Sequence, residues 1–217
     1  MSDTTPRNRP RPLKDANTAR LAVAVIANVV LFAVVVRGEE IVVGGWPMAW
    51  RAATELVPAG LLFVFITVMN GLLSPMAKAR LVFWRWRHPL PGSRAFSLHA
   101  RRDARINVPA LRAKLGDFPK TEADQNSTWY RLYRSIEHDA AVAQVHRDFL
   151  FTRDCAALSA LAILPLGTAA FVQAGSLRQA STYLAILVAQ YLVTRSAAAN
   201  YGKRFVCTVL AIKSAEA

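Results

Sequence analysis

The chain has 217 residues, a formal net charge of +13 and 53% hydrophobic residues, which argues against an ordinary soluble protein. It has two cysteines and four histidines, without CxxC or HExxH spacing. We therefore predict no disulfide framework, no metal site and no cofactor.

The first residues, 1–20, contain Pro, Arg and Thr with almost no apolar side chain. Such a segment cannot bury enough surface to order itself. We predict a flexible basic cytoplasmic tail over residues 1–20.

Four runs that are nearly free of charge follow, at 21–36, 56–73, 155–173 and 180–194. Each approaches the ~20 residues that a helix needs to cross the hydrocarbon core. We predict an all-α membrane protein with transmembrane helices 1 and 2 in residues 21–74 and transmembrane helices 3 and 4 in residues 153–200. A soluble bundle is the alternative, but its helices would show polar faces, and the first run shows only Asn28. That run ends without a cleavage pattern, which favours an uncleaved anchor over a secretory signal.

Lysine and arginine are distributed unevenly around these runs. Fifteen of the 27 lie between Lys78 and Arg153, five lie in the N-terminal tail, and four follow from Arg195 onward. The positive-inside rule therefore predicts that both termini, a helical insertion over 75–152 and the C-terminal segment 201–217 are cytoplasmic.

Several residues in the insertion predict where helices begin and end. Pro109 and Gly116 bracket a short helix, and Thr121 predicts the N-cap of a second one. Asp139 is a further N-cap, and the helical spacing after it continues into the third apolar run. One helix of roughly 30 residues is therefore predicted to lead from the insertion into the membrane.

Arginines and aromatic residues alternate directly after the second run. Trp84, Arg85, Trp86 and Arg87 match the aromatic belt and positive flank of a membrane protein. That belt does not account for the arginines that follow on a loop interrupted by Pro and Gly. Guanidinium groups among aromatic side chains suit phosphate contact and base stacking. The predicted ligand-binding residues are Arg87, Arg94, Arg101, Arg102 and Arg105.

Polar residues inside the predicted spans must face protein or water. Ordinary helix packing is one explanation, and an aqueous path around the axis of a homo-oligomer is the other, with a tetramer favoured. The candidate pore-lining residues are Glu55, Thr67, Asn70, Gln190 and Thr194.

The acidic residues indicate no reaction class. Most lie at helix starts or beside arginines, where caps and ion pairs explain them. Asp154, beside Arg153, is predicted to form an interfacial ion pair. We predict no catalytic residue and expect a protein that is not an enzyme.

The segments GSRAF, RRDARIN, LRAKLGDFP, DQNSTWYRLYRS and VHRDFLFTRD, within residues 92–154, resemble the insertion of Hailong-type transmembrane effectors of bacterial anti-phage defence. The resemblance implies an oligomeric inner-membrane channel that a nucleotide or oligonucleotide signal opens or holds shut, and that depolarises the membrane. It also implies a partner nucleotidyltransferase that supplies a cyclic nucleotide or a single-stranded nucleic acid.

A membrane-anchored scaffold or sensor subunit is the competing expectation. In that case the insertion binds a protein partner, membrane lipid surrounds the helices, and no ions pass. The polar residues of the spans favour the channel, whereas the belt explanation of the arginines favours the scaffold.

Overall fold

The computed structural model describes residues 27, 28, 30–36, 42, 43, 45, 47 and 57–216, with the side chains of a few residues between 57 and 66 left aside. Every regular element of this described part is helical, which confirms the all-α class. The predicted tail over residues 1–20 and the candidate pore residue Glu55 lie outside it.

Residues 57–216 contain six α-helices and one compound helical segment, joined by short connections. The α-helices are α1 (Val57–Leu72), α2 (Pro75–Phe83), α3 (Val108–Leu115), α4 (Glu122–Arg134), α5 (Ala140–Gln173) and α6 (Leu177–Ala215). Between α2 and α3, a helical segment is built of a 3-10 turn (Pro91–Arg94), a π turn (Ala95–His99) and one α turn (Ala100–Arg102). Residues 27, 28 and 30–36 are also helical.

Local capping chemistry explains where several helices begin. The Thr121 hydroxyl accepts a hydrogen bond from the Asp124 N–H, and the Asp139 carboxylate accepts from the N–H groups of Ala141 and Val142. Both predicted N-caps are therefore confirmed. Gly116 ends α3 at a φ of 75°, a conformation that glycine adopts without a Cβ penalty.

Helices α5 and α6 form a long antiparallel hairpin. Its partners run in opposite directions, because Gly167 approaches Leu184 while His146 stacks on Phe205. At 34 residues, α5 confirms that one helix leads from the insertion into the third apolar run. The fourth run does not end as a separate helix, because α6 continues to Ala215. Its one internal glycine, Gly202, lies against Phe83 and Phe149.

Two large clusters and one small cluster of buried apolar side chains pack along the hairpin, and the small one consists of Val82, Ala156 and Ala198. The aromatic core, at the end of the hairpin away from its turn, contains Trp129, Tyr133, His146, Phe149 and Phe205. The hairpin core, near the turn, contains Phe32, Val36, Leu158, Leu166, Tyr183 and Leu187. The ring of Phe32 meets that of Tyr183 edge to face, so the described part of the first apolar run packs on the hairpin.

One helix of the described residues, α5, is long and apolar enough to cross a membrane. Helix α1 has 16 residues, and α6 joins an apolar first half to a second half that contains Lys203, Arg204 and Lys213. The finding is weak evidence of membrane association. The count of four transmembrane helices and the positions of the termini stay predictions.

The stretch after Pro91 differs from the predicted loop. Arg94, Arg101 and Arg102 all lie in helical turns. Two contacts explain the difference: Gly92 sits directly on the Trp129 ring, and the side chain of Gln125 binds the backbone of the π turn.

Candidate anion-binding site

A buried glutamine fixes the helical segment 91–102 against α4. Oε1 of Gln125 accepts hydrogen bonds from the N–H groups of Phe96 and Ser97, at 3.2 and 3.1 Å. One side-chain oxygen thus satisfies two backbone donors of the π turn. Because Gln125 is on α4, this bond sets the distance between the segment and that helix.

A pocket of about 370 Å³ opens beside this contact. Its lining comes from the helical segment, the end of α3, the 117–120 turn and α4, and consists of Phe96, Ser97, Arg101, Arg112, Asp117, Phe118, Pro119, Lys120 and Gln125. The rings of Phe96 and Phe118 lie 5.0 Å apart, and the Arg112 guanidinium lies 5.3 Å from the centre of the Phe118 ring. Three cationic side chains and one carboxylate therefore surround a partly aromatic pocket.

That combination suits a phosphate-bearing ligand with an aromatic base. Arginine binds phosphate through paired N–H donors, and phenylalanine offers a face for stacking. Ser97, an exposed residue that also lines the pocket, has a polar side chain. We name this set of residues the basic pocket.

A second group of cations surrounds His99. Burial lowers the pKa of Arg94, repulsion from Arg85 and Arg102 lowers it further, and Glu122 opposes the change. Burial also lowers the pKa of His99 to about 4, with added repulsion from Arg94, Lys203 and Arg102. Glu122 is bound to Arg85 at 2.6 Å, so positive charge remains in excess in this group.

The five predicted ligand-binding arginines do not form one site. Arg101 lines the basic pocket, whereas Arg94 and Arg102 lie in the group around His99. Arg105 makes a bidentate pair with Asp103, with Nη2 2.6 Å from Oδ2, and this bond holds the pKa of Asp103 well below its usual range. Arg87 is exposed and lines neither place.

Sequence reasoning missed Arg112, Lys120, Phe118 and Gln125. The turn GDFPK, immediately before the Thr121 cap, was a usable signal, because it places an acidic, an aromatic and a basic residue at a helix start. Nothing in the sequence connects Lys203 with His99, since the two are brought together only when α6 packs against the segment.

The candidate pore residues are placed differently from one another. Thr67 is exposed on α1, whereas Asn70 is 4% exposed and its Oδ1 has no hydrogen-bond partner within the described part of the chain. Gln190 donates to the Ser159 hydroxyl at 3.4 Å, and the Thr194 hydroxyl donates to the Gln190 carbonyl at 2.8 Å. Gln190 and Thr194 therefore make contacts within the hairpin, and their role in an oligomer stays a prediction.

Comparison with models of protein families, with curated proteins and with solved structures finds no match to this chain.

Proposed function

We propose that the chain is a multi-pass inner-membrane effector of bacterial defence, a homo-oligomer with a tetramer favoured, whose cytoplasmic part binds a nucleotide or oligonucleotide. Binding opens or closes an ion path between the membrane helices and so controls the membrane potential. The observation that carries the proposal is the basic pocket, because α4, which lines it, is joined through Tyr133 to His146 on α5, the helix that continues into the apolar hairpin.

The charge pattern of the hairpin supports membrane insertion. Between Cys155 and Thr194 the only charged residue is Arg178, beside the turn. The nineteen residues 155–173 give a rise of about 28 Å, close to the ~30 Å thickness of the hydrocarbon core. A soluble hairpin of this length would be expected to carry charge on its outer face.

Apolar side chains on the outside of the membrane part agree with this interpretation. Leu61, Val64, Phe65, Val68 and Leu72 are exposed on α1, and Leu164, Phe171, Val172, Leu177 and Val193 are exposed on the hairpin. On a soluble monomer, so many exposed large apolar residues mark an interaction site. Lipid and neighbouring subunits would cover them here.

A continuous element links the pocket to the membrane. Helix α4 contributes Gln125 to the pocket and Trp129 and Tyr133 to the aromatic core. Tyr133 hydrogen bonds to Nδ1 of His146 at 3.1 Å, and His146 belongs to α5. A shift of α4 on ligand binding would therefore displace α5, which continues into the apolar hairpin.

Reconstitution tests the ion path. Liposomes that contain the chain should lose an imposed ion gradient in a ligand-dependent manner. Thr67→Leu should suppress this flux without changing oligomer size, because an apolar constriction dewets a narrow pore. If a correctly assembled oligomer gives no ion flux, either with or without nucleotide, the channel is ruled out.

The scaffold is the second candidate, and one observation favours it. Gln190 and Thr194 bond inside the protomer, and Asn70 is buried within it. A membrane-anchored scaffold or sensor subunit would bind a protein partner and leave the membrane potential unchanged on overexpression. A collapse of that potential would favour the channel.

A further inference from the structure

Trp84, at the end of α2, has an unusual backbone conformation. Its φ and ψ are 51° and 42°, in the left-handed region, and its N–H donates to the Arg80 carbonyl at 2.9 Å. Left-handed backbone is unfavourable for a bulky L residue and persists only where the surroundings hold it. Burial of the indole does not offset this cost fully, because the residue is 59% exposed.

Two polar contacts and one cation hold the indole in place. Trp84 Nε1 donates to the Tyr191 hydroxyl at 2.9 Å, and that hydroxyl donates to the Leu81 carbonyl at 2.8 Å. The guanidinium carbon of Arg195 lies 3.6 Å from the centre of the indole ring. The strained conformation thus presents the face of Trp84 to Arg195, and a cation so placed is attracted by the ring.

Arg195 has unused hydrogen-bonding capacity. Its Nε is buried and has no hydrogen-bond partner among the described residues, and no ion pair joins Arg195 to a carboxylate in this part of the chain. A guanidinium has five N–H donors and no acceptor. Because Nε is buried, an external anion would bind the terminal N–H groups of this partly exposed residue, for which the described residues supply no acceptor either.

An apolar surface adjoins this cation on the same face of α6. Leu192 and Val188 precede Arg195 by three and seven residues, which places all three on one side of the helix. Both are partly exposed, at 42% and 39%. Arg195 is also the first charged residue of α6 after Arg178, and Val188 lies about 10 Å from its level along the helix axis.

We propose that Arg195, supported by Trp84, binds the phosphodiester of an anionic glycerophospholipid, whose acyl chain lies along Leu192 and Val188. The proposal rests on the membrane insertion of the hairpin in the proposed function. A phosphate at Arg195 satisfies the guanidinium, and only a lipid also covers the adjoining apolar residues. Free phosphate or a nucleotide shares the first contact but not the second.

Fluorescence quenching by brominated lipid tests the site with the full-length chain in liposomes. The bromine atoms are placed on acyl carbons near the headgroup, in phosphatidylglycerol or in phosphatidylcholine at equal mole fraction. We expect stronger quenching of the Trp84 component, defined by subtraction of the Trp84→Phe variant, with phosphatidylglycerol. Arg195→Gln should lower the apparent affinity for phosphatidylglycerol roughly tenfold, as expected for a lost hydrogen bond to a charged group.

Arg204→Gln is the matched control. Arg204 also lies over an aromatic ring, 5.7 Å from the centre of Tyr201, but it is about 13 Å farther along α6 from the apolar surface. The control should retain the preference for phosphatidylglycerol. Arg195→Lys should retain part of it, because the charge remains while the planar stacking is lost.

The outcomes separate this site from the proposed function. If the chain is extracted from liposomes by alkaline carbonate, membrane insertion is wrong, and the lipid site with it. If the chain resists extraction but both lipids quench Trp84 equally, only the lipid site is overturned. The last comparison is made in detergent, with inorganic phosphate in place of lipid. If phosphate stabilises the chain as strongly as phosphatidylglycerol does, and Arg195→Gln loses this stabilisation, the site binds free phosphate and the lipid assignment is overturned.

Discussion

Nζ of Lys78 lies 3.0 Å from Oδ1 of Asp154, and the two residues are 76 positions apart in the sequence. The same oxygen accepts from Arg153 Nε and Nη2, at 3.1 and 3.0 Å. Lys78 is buried on α2, and Asp154 precedes the apolar run of α5. The ion pair therefore joins α2 to α5, the helix that leads into the hairpin.

Loss of one partner of this pair should be more damaging than loss of both. Asp154→Leu leaves the Lys78 ammonium buried without its carboxylate, and we expect a loss of about 2 kcal/mol in the free energy of unfolding. Adding Lys78→Met to that variant should restore part of the loss. Denaturant unfolding in mild detergent of Asp154→Leu, Lys78→Met, the double variant and the unmodified chain gives the coupling energy as a double-mutant cycle.

The pair between Lys114 and Glu216 is a suitable control, because its atoms are 3.7 Å apart and both side chains are more exposed. Its cycle should give a coupling energy near zero. A coupling energy at Lys78 and Asp154 no larger than this control would contradict the structural role of the buried pair.

Charge reversal should locate the ligand in the basic pocket. Arg101→Glu combined with Arg112→Glu should abolish binding of single-stranded oligonucleotide or cyclic nucleotide to the purified oligomer, because both arginines line the pocket. Binding of an oligonucleotide to the unmodified chain should weaken with salt, at a slope of roughly −0.7 in log K per neutralised phosphate. Fluorescence anisotropy over a salt series measures both effects.

Two other substitutions provide controls for this experiment. Arg131→Glu changes the charge of an exposed arginine on α4 that does not line the pocket, and binding should persist. Arg105→Glu should lower stability more than affinity, because Arg105 is held by Asp103. Equal losses of binding free energy per reversed charge in Arg131→Glu and in the doubly reversed pocket variant would mean that net charge alone is responsible.

The sequence predicted helices better than it predicted the ligand site. Thr121 and Asp139 identified helix starts because a cap is a local interaction between neighbouring residues. The pocket depends on contacts across the chain, such as that of Gln125 with the Phe96 N–H, which no local pattern records. Arginines that are close together in the sequence therefore have different surroundings in the structure. Arg101 lines the pocket, Arg94 and Arg102 lie in the group around His99, and Arg105 pairs with Asp103.

Stability should fall in mildly acidic solution because of His99. Its folded-state pKa is about 4, below the ordinary 6.5, so the unfolded chain binds the proton more tightly. The stabilising effect of neutral His99 is present above pH 6.5 and is lost as the pH falls from 6.5 towards 4. Melting temperatures across this range in detergent should show a smaller acid-induced decrease for His99→Gln than for the unmodified chain.

His146 titrates with the same sign, because burial and Arg153 lower its pKa, and it therefore remains as background in the His99→Gln variant. The difference between the two curves isolates His99. Parallel curves over the whole range would show that protonation of His99 does not oppose folding.

Gly92→Ala should weaken ligand binding without any change of charge. A Cβ at this position would lie 2.6 Å from Cε3 of Trp129 and 2.6 Å from Oδ1 of Asn126. The Asn126 amide can rotate, but the Trp129 ring is fixed between Tyr133 and Phe205. The helical segment must therefore move away from α4, which lengthens the bonds from Phe96 and Ser97 to Gln125 and distorts the pocket. We expect a stability loss of about 1 to 3 kcal/mol, as for other overpacked cores, together with reduced affinity for nucleotide.

Gly71→Ala is the control, since a Cβ there meets no atom within 4 Å. If Gly92→Ala binds nucleotide as tightly as Gly71→Ala, the contact between the segment and α4 does not shape the pocket.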